Sequence, residues 1–247
     1  MVITSLENDR IKNLVKLQKK KYRDETNTYL VEGYHLVEEA YKANFVIEIF
    51  ALEGNNISFD VPITFISNDV MKKISTMDTP PNIVALCKKG QYAMDAEASL
   101  NKLLLLDEIQ DPGNLGTIIR SSVAFGIDMI ILSENTVDLY NPKVLRATQG
   151  MYCHIPIVSV DASKAITFLK NNQYHIYGTN VNNGVDARTL SKEEKEKFCL
   201  IVGNEGNGVS KEIQAMCDKN LYIPMRKEVE SLNVGVACSI LLYELER

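Results

Sequence analysis

KLLLLDEIQDPGNLGTIIRSSVAFGIDMIIL, Lys102–Leu132, decides the fold. Its unbroken LLLL core has no polar alternation, so it reads as a strand buried on both faces, as in a parallel sheet. Asp111-Pro112-Gly113 makes a turn, Asn114 falls where a helix N-cap belongs, and Met129–Leu132 supplies the next strand. With residues about 100° apart, Leu115, Ile118, Ile119, Ser122, Val123 and Phe125 share one arc of the helix. Gly116, Thr117, Arg120, Ser121 and Ala124 share the other, so Arg120 leaves a face cleared by small residues one turn to either side. An arginine there can meet a ligand, or simply water.

Downstream the alternation continues, with strands expected at His175–Thr179, Phe198–Val202 and Leu221–Ile223 and helices between them. Parallel strands need long crossovers, and these gaps supply them. Upstream, TYLV, VIEIFAL, ITFI and NIVALC alternate with helical stretches at Tyr34–Ala43 and Asn68–Ser75, which makes a small α/β unit. Before it, Ser5, Glu7 and Asp9 announce a helix of about four turns. The weakly periodic GQYAMDAEAS, Gly90–Ser99, separates the two series. The expected organisation is therefore a first domain over 1–92, a linker over 93–100 and a second domain over 101–247.

Composition bounds the function classes. The chain has 247 residues, 45% hydrophobic and 24% charged, with no apolar run long enough to span a bilayer. The acids in MVITSLENDR do not suit a signal peptide, so a cytoplasmic location is expected. Five scattered cysteines without CxxC spacing, and three histidines without an evident partner, suggest neither disulfides nor a metal site. The formal charge of −5 is uneven. Seven basic residues and no acid occupy Arg10–Arg23, and removing them leaves the remainder at −12. Such a run could pair with phosphates, although a solvated helix face is its ordinary reading.

Two later segments carry chemistry. LIVGNEGNGVSKEI, Leu200–Ile213, runs a strand into three glycines and a helix that Ser210 could cap. Glycines let backbone N–H groups approach a ligand, but Glu205 inside the cradle would repel a pyrophosphate. A sulfonium or a ribose hydroxyl suits that carboxylate better, and the GxxGxG spacing is wrong for a dinucleotide. LYIPMRKEVESLNVGVACSILLYELER, Leu221–Arg247, ends in a slim apolar helix expected to be buried in the core or in a subunit contact. Ser231 and Asn233 precede it and can cap it or face a ligand.

In order and spacing, GNLGTIIR, IVGNEGNGVS and IPMRKEVESLNVGVACSILLYE resemble the three motifs of the SpoU/TrmH family of SPOUT methyltransferases. YLVEGYHLVEEA, Tyr29–Ala40, is similar to the substrate-binding domain, of ribosomal-protein-like fold, that many members carry. The resemblance implies an α/β chain whose C-terminal parallel-sheet SPOUT domain is tied in a deep trefoil knot. It implies S-adenosyl-L-methionine as cofactor, RNA as substrate with ribosomal RNA favoured over transfer RNA, methylation of a ribose 2′-hydroxyl, and a homodimer. Matched residue by residue, it implies catalytic roles for Asn114, Arg120, Glu205, Ser231 and Asn233. Cofactor contacts fall on Gly203, Ile223 and Leu232, with Thr179 and Met225 beside them. One departure is Gly235, where many members have serine. The competing readings are a catalytically silent RNA-binding or ribosome-assembly protein of the same fold, and an NAD-dependent oxidoreductase. The five candidate catalytic residues argue against the first and the glycine spacing against the second.

Overall fold

The computed structural model describes residues 2–55, 57–94, 100–181 and 184–247. They form two compact units, residues 1–91 with 138–154 and residues 92–137 with 155–247. Most of the expected linker, residues 95–99, lies outside the described residues.

The first unit opens with β1 (Val2–Ile3), α1 (Asp9–Lys16), α2 (Lys20–Thr26), β2 (Thr28–Glu32) and α3 (Tyr34–Lys42). It continues with β3 (Val46–Leu52), β4 (Ile63–Ile66), α4 (Asn68–Ile74) and β5 (Ile83–Lys88). Its mixed sheet has the order β1-β4-β3-β5-β2. β1, β4 and β3 run parallel, and β5 pairs antiparallel with both β3 and β2. Ile11, Leu14, Leu17, Phe50, Ile66, Val70 and Ile74 close a core between α1, α4 and the sheet.

The expected four-turn first helix is two helices instead, capped by Asn8 rather than Ser5. The break has a cause at Leu17. Buried Arg23 donates from Nη1 to the Leu17 carbonyl at 2.8 Å, occupying an acceptor at the end of α1, and its Nη2 meets Asp138 at 2.5 Å. β1 was too short for the alternation to reveal.

Residues 138–154, which the sequence reading assigns to the second domain, group with the first unit and contain α6 (Pro142–Thr148). Their anchors are polar: Asp138 with buried Arg23, Tyr152 with Tyr29 at 3.1 Å between two buried rings, and exposed His154 with Glu39 at 2.6 Å. No sequence periodicity announces pairings more than 100 residues apart.

The second unit holds β6 (Lys102–Asp107), α5 (Pro112–Ala124), β7 (Met129–Leu132), β8 (Ile157–Ser159), α7 (Ala162–Asn171) and β9 (His175–Thr179). It adds β10 (Val185–Asp186), α8 (Lys192–Glu196), β11 (Phe198–Gly203), α9 (Lys211–Ala215), β12 (Lys219–Tyr222) and α10 (Val234–Glu246). Its seven strands are all parallel, in the order β10-β12-β9-β11-β6-β7-β8. β8 and β10, three and two residues long, lie beyond what a hydrophobic run can signal. β6 is buried from Leu103 to Asp107, in keeping with its continuous apolar run.

Two consequences of this order position the site. β9 and β11 pair only from Phe198 to Leu200 and then part, while β12 continues beside β9 to Leu221. A gap therefore opens at the carboxyl ends of these strands, where open parallel sheets bind ligands. The chain then returns from β12 to lay α10 along α5, the helix that follows β6 on the far side of β11. α10 is less buried than expected: Cys238, Leu241, Leu242 and Leu245 are inside, but Val236 and Tyr243 are each 47% exposed.

Candidate functional site

The site begins with the turn into α5. Asp111, not Asn114, is the N-cap; its side chain accepts from the Asn114 N–H at 2.8 Å, with Pro112 in the first turn, where its missing N–H costs nothing. This corrects the expected cap, and the reason matters for function. One turn inside the helix, the Asn114 amide is free to reach across to other segments.

It reaches in two directions. Its Nδ2 donates to Glu205 Oε1 at 3.0 Å, and its Oδ1 accepts from Asn233 Nδ2 at 2.9 Å. Asn233 in turn caps α10, its Oδ1 accepting the Gly235 and Val236 N–H groups at 2.9 and 3.2 Å. Glu205 also accepts the N–H groups of Asp111 at 3.0 Å and Gln110 at 3.2 Å. Partial burial pushes the Glu205 carboxyl up, but the donors Asn114, Asp111, Glu205's own N–H and Gln110 together outweigh it and hold it below the usual carboxylate range. A continuous chain of hydrogen bonds thus links the three sequence motifs. Asp111 and Gln110 were missed as members of it, because a backbone N–H leaves no mark in residue identity.

The glycine loop folds back tightly. A Cβ on Gly203 would sit 2.1 Å from the Gly208 carbon, and Gly208 itself has φ +68°. Asn204 pairs with Gly208, accepts the Gly206 and Asn207 N–H groups on its Oδ1, and donates to the Glu108 carbonyl at 2.9 Å. The N–H of Ser210 goes to buried Asp107 at 2.8 Å. Ser210 occupies the N-cap of α9, with no side-chain cap bond.

Between this loop and the 223–232 segment lies a cavity of about 340 Å³. Thr179, Gly203, Ile223, Met225 and Leu232 line it, as do Glu205 and Ser231. Asn114, Arg120 and Asn233 do not. α10 contributes Val234, Ala237, Cys238 and Leu241 to the cavity, while its Gly235 packs on Thr117 and its Ser239 bonds Ser121 at 2.6 Å. The small residues on the polar arc of α5 thus seat a neighbouring helix. Arg120 stands on that arc exposed, and among the described residues it has no hydrogen-bond or ion-pair partner.

The cavity's chemistry fits S-adenosylmethionine. Val202, Leu221, Ile223, Leu232 and Leu241 offer an apolar wall suited to adenine, and the ionised Glu205 suits a nearby positive charge. The volume lies in the ordinary range for small-molecule sites, and among the loop's own residues no cation offsets Glu205 for a pyrophosphate.

The histidines do find one grouping that the sequence reading missed. His35, Glu38 and Glu39 gather within 4.8 Å on successive turns of α3. Lys42, 2.9 Å from Glu39 and 3.6 Å from Glu38, already supplies positive charge there.

Comparison with known proteins agrees with this geometry. Residues 101–243 match the SpoU rRNA Methylase family, and residues 8–85 match the MRM3-like substrate binding domain. The chain belongs to the SpoU rRNA methylase family. It is 40% identical over 248 residues to the 23S rRNA (guanosine(2553)-2′-O)-methyltransferase RlmP of Bacillus subtilis, covering 98% of each chain. Among solved structures it resembles the AdoMet-bound rRNA methyltransferase from Sinorhizobium meliloti, with TM-score 0.87 and 27% identity over 99% of this chain and 97% of that one. Another structure of an rRNA methyltransferase from that organism gives TM-score 0.87 at 28% identity, covering 99% and 96%.

Proposed function

We propose that this chain transfers a methyl group from S-adenosylmethionine to a ribose 2′-hydroxyl of 23S-type ribosomal RNA. The observation that carries the proposal is the Glu205–Asn114–Asn233 chain of hydrogen bonds, which binds the three motifs into one structure around the cavity. The fold matches and the relative from Bacillus subtilis support the substrate class.

Thr179, Gly203, Ile223, Met225 and Leu232 would hold the cofactor, and Glu205 would face its positive end. When bound, S-adenosylmethionine supplies an electrophilic methyl carbon on a sulfur that leaves as a neutral thioether. The protein's task is then alignment, which can be worth about 7–11 kcal/mol, and care of the charge that develops on the ribose oxygen. Arg120 is free to do the second. Its guanidinium is not a base at any working pH, so its role is to grip the adjacent phosphate in a fork and stabilise the oxygen as its proton passes to solvent water. The Asn114–Asn233 hydrogen bond ties the start of α5, which carries Arg120, to the start of α10, and Ser231 lines the cavity.

The exposed Val236 and Tyr243 on α10 support a twofold dimer built on that helix, and sedimentation equilibrium showing only monomer at micromolar concentration would contradict it. Among the described residues no helix is long and apolar enough to cross a membrane, and a ribosomal substrate suits a cytoplasmic place of work. The test of function is to delete the gene and map ribose methylations in ribosomal RNA by resistance to alkaline cleavage. One mark should disappear and return when purified protein acts on the unmodified RNA. An unchanged map would remove the proposal.

A further inference from the structure

An RNA substrate needs a surface on the first unit, and most of the basic run is already spent on carboxylates within the fold. Arg23 is buried against Asp138, while Arg10, Lys12, Lys20 and Lys21 are ion-paired with Glu48, Glu7, Asp24 and Glu25. Lys16 and Lys19 alone remain of the seven without a carboxylate partner among the described residues.

A different feature stands at the opposite end of β2. Gly33 turns the chain at φ +91°, and Tyr34 opens α3 with 55% of its surface exposed. A lone exposed tyrosine means nothing. This one is braced, because its ring packs on Phe59 at 5.6 Å and Phe59 packs on Tyr41 at 4.9 Å, whose hydroxyl accepts the Asp60 N–H at 3.3 Å. Beside it lies a cavity of about 270 Å³ bordered by Asn55, Ile57, Asn82 and Ile83. The Asn55 amide nitrogen is committed to the Leu52 carbonyl at 2.9 Å, which leaves its oxygen free to accept. Among the described residues the Asn82 side chain has no partner. At the same corner, Arg146 donates to Thr76 at 2.9 Å, and Thr76 bonds Glu32, two residues before Tyr34.

We infer that this pocket receives one unpaired nucleobase of the RNA substrate, stacked on Tyr34 with its edge toward the amides of Asn55 and Asn82. The inference rests on the reading of the chain as an RNA methyltransferase and adds a site remote in sequence from the cofactor cavity. The chemistry is that of single-stranded RNA recognition, in which splayed bases stack on aromatic rings and present their edges to hydrogen-bonding groups. A ring already held by Phe59, itself packed on Tyr41, loses little freedom on stacking. The two amides offer an acceptor and an unspent donor pair, the complement of a base edge. The match of residues 8–85 to a substrate-binding domain encloses Tyr34, Asn55 and Asn82.

The experiment compares the wild-type full chain with Tyr34→Ala, Tyr34→Leu and Tyr34→Phe on 23S ribosomal RNA from a strain lacking the gene. Methyl transfer and filter binding are both read. Tyr34→Ala and Tyr34→Leu should raise the KM for RNA and weaken filter binding about tenfold, with kcat, the Kd for S-adenosylmethionine and the melting temperature unchanged. Tyr34→Phe should stay within about twofold of wild type, since stacking needs the ring and not the hydroxyl. Wild-type RNA affinity in both Tyr34→Ala and Tyr34→Leu, or a loss in Tyr34→Phe equal to theirs, would overturn the pocket assignment. A wild-type protein that binds this RNA but transfers no methyl group would instead overturn the functional reading, and the binding comparison would still decide the pocket.

Discussion

Arg23, which the fold uses, and Arg120, which we propose the chemistry uses, differ in what surrounds them. Arg23 belongs to a run of seven basic residues that looks like a nucleic-acid contact, yet it is 4% exposed and spent on Asp138 and the end of α1. Arg120 stands alone among small residues, and nothing in the described fold uses it. Charge density alone does not mark chemistry. A cation without a partner, held on a helix whose other contacts are satisfied, is the better sign of chemistry.

That contrast can be broken at either arginine. Arg120→Ala should lower kcat about 10²–10³-fold, the usual cost of removing a group that meets developing charge, with the melting temperature within about 1 °C of wild type. Arg120→Lys should recover little of it, because a single ammonium cannot reproduce a bidentate grip. Near-normal turnover in the lysine variant would remove the fork argument. Arg23→Met should do the reverse, costing about 3 kcal/mol in denaturant unfolding by stranding Asp138, while the folded fraction keeps its affinity for S-adenosylmethionine. The low end of the range for buried pairs applies, since Asp138 is 16% exposed.

Asn114→Ala tests the link between the regions. It leaves Glu205 and Asn233 each without a side-chain partner, and kcat should fall about tenfold or more with a smaller loss of stability. Glu205 adds a pH signature. Its carboxyl titrates lower in the folded chain than in the unfolded one, so its stabilisation is complete above the ordinary glutamate range and is lost as pH falls through the lowered value. The melting-temperature gap between wild type and Glu205→Gln should therefore be widest near neutrality and close as the solution is acidified. A gap that grows toward acid would contradict the assignment. The smallest effect should come from Lys12→Gln or Lys21→Gln, whose pairs with Glu7 and Glu25 are exposed and screened by solvent. An RNA-binding defect tenfold or larger in either would restore the basic run as a substrate contact.

Much of this was legible in residue order because the second unit obeys local rules. LLLL announced a buried central strand, and the three motifs named the loops that meet at the carboxyl ends of the sheet. What stayed hidden depends on groups that meet across long separations. The break after α1 needs Arg23 to find Leu17 and Asp138. Asn114 could be mistaken for a cap because Asp111 and Asn114 are both good caps, and only the Pro112 position decides between them. Tyr34 reads as an ordinary helix residue, because the Phe59 that braces it lies seventeen residues beyond the end of α3 at Lys42.

The most direct test feeds purified protein with methyl-labelled S-adenosylmethionine and unmodified 23S ribosomal RNA, digests the product to nucleosides and identifies the labelled one. A single 2′-O-methylnucleoside, formed by wild type and reduced at least 100-fold in Arg120→Ala, is the predicted result. Label on a base, or equal label from the two proteins, would contradict the account.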